Sequence, residues 1–127
     1  MGCMITALRP LERVRQDGEA IAAMYREMGV TAAEQVVNRA LGELALTIAG
    51  LAQQVRGRSL TDVPRRLRRL QRLAENLGMV SLGLVAGDAR TAFASGDMTA
   101  FAAVWARLIR IAERSLAMDR ELLDRSI

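Results

Sequence analysis

Five arginines fall between positions 65 and 72, in the run Asp62-Val-Pro-Arg-Arg-Leu-Arg-Arg-Leu-Gln-Arg72. A guanidinium stays charged at any ordinary pH and presents a planar fork of donors that fits a carboxylate or a phosphate. It does not exchange protons, so the chemistry such a cluster offers is recognition of anions. The rest of the chain adds little that could catalyse. Histidine is absent, and all 18 basic residues are arginine. That removes imidazole metal sites, histidine-based triads and any phosphohistidine intermediate. The lone Cys3 has no neighbouring base and no second thiol, so it is incidental as a nucleophile and cannot build a zinc site or an internal disulfide. It suits a reducing compartment.

The acids are dispersed. Glu12, Asp17, Glu19, Glu27, Glu34, Glu43, Asp62, Glu75 and Asp88 fall at helix ends or outward faces, with no inward ExxE or ExxH pair of the kind that holds two metals in a bundle. Near the end, Glu113, Asp119, Glu121 and Asp124 alternate with Arg110, Arg114, Arg120 and Arg125, which reads as i,i+4 surface pairing. Neither GxxxxGK[ST] nor GxGxxG occurs. The expectation is a non-catalytic protein with no cofactor, no metal and no catalytic residue.

Positioning such a cluster requires a helix. Thr61 serves as N-cap, Asp62 adds negative charge beside unpaired N–H groups, and Pro64 falls in the first turn, where its missing N–H costs nothing. Val63, Leu67, Leu70, Ala74 and Leu77 recur at spacings of three and four and make one buried stripe. Arg65, Arg68, Arg69 and Arg72 gather on the opposite side, with Arg66 on a flank and Gly78 as the stop.

The other segments follow the same logic. Aromatics are only 3% against 51% hydrophobic residues, so the core is built from Leu, Ala, Val, Ile and Met, a palette that favours helices. Pro10 opens a short helix through Val14, and Gly18–Met28 makes another, ended by Gly29. Thr31-Ala-Ala-Glu34 is a capping box that opens a long helix with Val37, Leu41, Leu44, Ile48, Leu51 and Val55 inward. Gly42 and Gly50 are read there as points of close helix approach, and Arg56–Ser59 as the following turn. The next helix carries Val80, Leu84, Val85, Ala89 and Phe93 inward, with Gly83 and Gly87 suited to tight contact. Ser95-Gly96-Asp97 breaks it, and the last helix, Thr99 to Leu123, buries Phe101, Val104, Trp105, Leu108, Ala112 and Leu116. The expected fold is all-α: one domain over residues 1–127, an up-down-up-down antiparallel four-helix bundle with a short extra N-terminal helix. No apolar run approaches the roughly 18 residues needed to span a bilayer, and no signal peptide is evident, which points to the cytoplasm. Met1–Thr6 formally fits a myristoylation pattern, read as coincidence.

From about residue 31 to 116 the order of segments resembles the histidine-containing phosphotransfer (HPt) domain of bacterial two-component signalling. Its motif, approximately H-x-L-K-[GS]-x-x-x-x-L-G, overlays Arg68–Gly78 without gaps, and Leu70, Leu77 and Gly78 match. The Ala94–Asp97 turn falls where that family has a Gly-Asp turn before its last helix. The departures matter equally. Arg68 stands at the position of the phosphorylated histidine, Gln71 at that of a lysine, and Arg72 at that of a small residue that gives access to the imidazole. The resemblance implies a four-helix bundle that binds a response-regulator receiver domain without relaying phosphate. Arg68, flanked by Arg65, Arg69, Gln71, Arg72 and Glu75, would face the aspartates of the receiver's active-site pocket. Three other readings stay open: a solvated arginine face with no partner, a binder of nucleic acid or another polyanion, and a homodimeric scaffold. Asp62, Glu75 and the mixed charges elsewhere disfavour nucleic acid.

Overall fold

A computed structural model describes the backbone of residues 13–125 and the side chains as far as Asp119. Within it lie five helices and no strand: α1 (Glu19–Met28), α2 (Val30–Gly57), α3 (Val63–Asn76), α4 (Val80–Ala94) and α5 (Met98–Arg125). Each helix packs chiefly on its chain neighbours, and α2 and α5 meet more lightly. This packing is compatible with a bundle. None of the five is long and apolar enough to cross a membrane. Met1–Thr6 and the start of the expected Pro10–Val14 helix lie outside the described residues, and residues 13–17 are not helical.

Helix ends explain why the chain turns where it does. Asp17 accepts the Glu19 N–H through Oδ1 at 3.0 Å, and α1 stops at Gly29, whose φ of 83° ends the helical course. Starting straight after Gly29, α2 begins one residue ahead of Thr31, and no side chain caps it. The expected Thr31–Glu34 capping box therefore does not form, because the glycine has already set the chain's entry angle. Asp62, not Thr61, occupies the N-cap of α3, and its carboxylate pairs with Arg65 at 3.4 Å instead of capping a backbone N–H. The other end of α3 is a Schellman motif: Gly78 (φ 74°) donates to the Glu75 carbonyl and Met79 to that of Ala74, at 3.1 and 2.8 Å. Gly96 (φ 75°) separates α4 from α5, and Asp97 Oδ1 caps α5 by accepting the Ala100 N–H at 3.0 Å, as its spacing predicts. The α2–α3 turn departs from expectation: Gly57 stays helical, and Arg58 takes the left-handed conformation.

The core joins Val37, Leu41, Leu44 and Leu51 of α2 to Val63, Leu67, Leu70 and Ala74 of α3, Val85, Ala86 and Ala89 of α4, and Phe101, Leu108, Ile111 and Ala112 of α5. The α3 stripe is buried as its spacing predicts. Ile48, Val55, Val104, Trp105 and Leu116 are only partly buried at its margin. Phe101 meets Phe93 edge-on at 5.4 Å and stacks beside Trp105 at 6.3 Å, which joins the end of α4 to the start of α5. Leu84 is the clear correction. Leu82, Val85, Ala86 and Ala89 form the inward set of α4, and Leu84 points out, 63% exposed. Gly42 is another, since nothing lies within 4 Å of where its Cβ would be. Gly42→Ala should therefore stabilise the protein by about 0.5–1 kcal/mol, read as a higher midpoint in thermal denaturation.

Residues 15–17 form a strap across the α3–α4 turn. Arg15 N–H donates to Ser81 Oγ (2.7 Å), Ser81 N–H to the Arg15 carbonyl (3.2 Å), and Asp17 N–H to the Gly78 carbonyl (2.6 Å). Gln16 reaches the other way, donating from Nε2 to the Ser115 carbonyl of α5 at 3.1 Å. Beneath this end of α5, Ser115 and Asp119 are buried, and neither the hydroxyl nor either carboxylate oxygen has a hydrogen-bond partner among the described residues. The surface pairing expected for Asp119 is thus corrected: one helical turn from Ser115, it lies on the inward face.

Candidate partner-binding site

The outward face of α3 forms a ridge between two grooves. On the α2 side, Glu43 and five arginines (65, 66, 68, 69 and 72) line a cavity of about 590 Å³. On the α4 side, Pro64, Arg68, Gln71, Leu84, Gly87 and Arg90 are among the residues around a cavity of about 820 Å³. Arg68 belongs to both and stands at the crest.

The six residues singled out from the sequence separate into three groups. Arg65 and Arg69 are exposed but engaged, Arg65 with Asp62 and Arg69 with Glu43 of α2 at 3.2 Å. Gln71 and Glu75 turn toward α4. Gln71 accepts from Arg90 Nη1 through Oε1 at 2.8 Å and donates from Nε2 to Glu75 Oε1 at 3.2 Å. Both lie over the α4 glycines, where an added Cβ at Gly87 would sit 3.4 Å from Gln71 Nε2 and one at Gly83 would sit 3.3 Å from Glu75 Cγ. The two glycines thus give the tight contact their spacing predicts, and Gln71 and Glu75 fasten α3 to α4. Arg68 and Arg72 form the third group: both are exposed, and neither has an ion pair among the described residues. These are the charges left to meet something outside the chain.

Sequence reasoning missed three contributors. The spacing places Leu84 in the core, and it is exposed. Arg90 was not singled out, although it lies in the α4 stretch that faces Gln71. Arg66 was placed on the flank of the helix, and in the structure its guanidinium folds against Gly50 of α2, where a Cβ would be 1.9 Å from Nη1. Gly50 therefore admits a side chain and not a neighbouring backbone.

No group of three or more His, Cys, Asp or Glu residues among the described residues is placed to hold a metal ion. What the ridge offers chemically is anion recognition beside an exposed leucine and, on the α4 side, the exposed carboxylate of Asp88. Comparison with protein-family models, curated proteins and solved structures finds no match.

Proposed function

We propose that this chain is a non-catalytic interaction module, similar to an HPt domain, that docks on a response-regulator receiver domain through the α3–α4 face without relaying phosphate. In this reading α2–α5 form the up-down-up-down antiparallel bundle and α1 is the extra N-terminal helix. With no histidine in the sequence there is no phosphohistidine, and the arginine at the corresponding position is no phosphoryl acceptor. The observation that carries the proposal is Arg68: exposed, without an ion pair, at the crest of α3 and one groove away from the exposed Leu84. A guanidinium beside an apolar side chain suits a partner whose carboxylates sit in a pocket rimmed by apolar residues. Binding a receiver would place the protein in the cytoplasm.

Titration calorimetry against purified receiver domains tests this. Arg68→Glu should weaken receiver binding at least 30-fold, a loss of about 2 kcal/mol or more, because it sets like charges face to face. Leu84→Asp should weaken it comparably. Both side chains are exposed, so circular dichroism should report an unchanged fold. Absence of binding to any receiver domain, phosphorylated or not, would overturn the reading.

A further inference from the structure

The groove on the other side of the ridge carries a separate property. We propose that the α2–α3 groove is a binding site for a short polyphosphate chain. Five arginines line it with one carboxylate, Glu43, paired with Arg69, while Asp62 outside the lining pairs with Arg65. The groove thus keeps a surplus of three positive charges along one open, solvent-facing stretch of α3, against a net charge of +4 for the entire chain. Like charges held this close repel, and a multivalent anion relieves that repulsion while occupying the forks of the guanidinium groups.

Two features define the class of anion. From Arg65 to Arg72 the cluster extends along about 10 Å of helix axis, which accommodates a chain of three phosphates. The lining also holds no aromatic ring on which a base could stack. The phosphate chain, whether inorganic or part of a nucleotide, is therefore the recognised element, and a nucleobase adds nothing.

Gly50 gives this site a distinguishing mark. The Arg66 guanidinium rests in the space a side chain at position 50 would take, so a methyl group there displaces the tip of that side chain. A diffuse positive surface would be indifferent to this placement, whereas a formed site depends on it.

Calorimetric titration of the intact chain with inorganic tripolyphosphate at moderate salt tests the proposal. Saturable binding at one site is expected, with orthophosphate at least 10-fold weaker and a nucleoside triphosphate within about 3-fold of tripolyphosphate. Arg66→Gln with Arg69→Gln should weaken binding more than 10-fold. Gly50→Ala, which leaves every charge in place and raises helix propensity, should weaken it several-fold by displacing Arg66. The last variant keeps the test decisive even if the double replacement disturbs the fold. Leu84→Asp should leave tripolyphosphate binding intact while losing the receiver, so failure of either proposal is visible without the other. No saturable binding, equal binding by Gly50→Ala and wild type, or tighter binding to duplex DNA with stoichiometry growing with its length would each overturn the assignment.

Discussion

Gly78→Ala should cost about 3 kcal/mol of stability and lower the thermal midpoint by about 10 °C, the largest effect expected of any single methyl group in this chain. Two penalties coincide there. At φ 74° an L-residue is strained by about 1–2 kcal/mol. An added Cβ would also sit 2.0 Å from the Asp17 carbonyl oxygen and 3.0 Å from its carbon. Both atoms are backbone, so no side chain can swing aside; the strap itself must move. Its movement breaks the 2.6 Å hydrogen bond from Asp17 N–H to the Gly78 carbonyl and strains the two between Arg15 and Ser81. Gly96→Ala is the control. It shares the backbone conformation, at φ 75°, but has nothing within 4 Å of the new Cβ, so only the strain of about 1–2 kcal/mol remains. Thermal unfolding followed by circular dichroism measures both, and equal losses would show that the strap contributes nothing at Gly78.

The second large effect is one of pH. Burial pushes the Asp119 carboxyl up from 3.8 to about 6, with no hydrogen bond to hold the charged form. Between about pH 4 and 6 the native protein keeps a proton that the unfolded chain has already released, so the contribution of this group falls as pH rises and is gone above about 6. The shift corresponds to about 2–3 kcal/mol over that window. Asp119→Asn removes the ionisation and nearly preserves the shape. Its stability should exceed that of wild type by about 1–2 kcal/mol at pH 7.5, with the advantage vanishing near pH 4. Urea denaturation at the two pH values reads the difference directly, and a variant-minus-wild-type gap that is the same at both would refute the account.

Asp119 and the α4 helix mark where the sequence is hardest to read. The α3 stripe could be recovered residue by residue because its two faces differ sharply, leucines on one and arginines on the other. The α4 helix is apolar or small nearly all the way round, so a stripe through Leu84 looked as good as the true one through Leu82, Val85, Ala86 and Ala89. Only the positions of α3 and α5 packed against it decide between them. Asp119 is hard to read for the opposite reason. Acids and arginines alternate so regularly along α5 that a carboxylate on the inward face looked like its exposed neighbours. Gln71 and Glu75 lie beside Arg68 on any helical projection, but a projection of one helix cannot show Arg90 and two glycines facing them from another. Gly78 was legible as a helix stop from its type alone, while the backbone passing over it was not. Asp17 is far from it in the chain, and no local pattern announces their meeting.

The strap has a consequence for the order in which the fold is assembled. Helices that pack on their immediate chain neighbours close short loops and form fast. The contacts from residues 15–17 to Gly78, Ser81 and Ser115 instead bridge long stretches of chain. During synthesis the strap leaves the ribosome ahead of every partner it will bind, and it must wait until α3, α4 and much of α5 have followed. The earliest residues of the described fold thus complete their contacts only after most of the chain has been made.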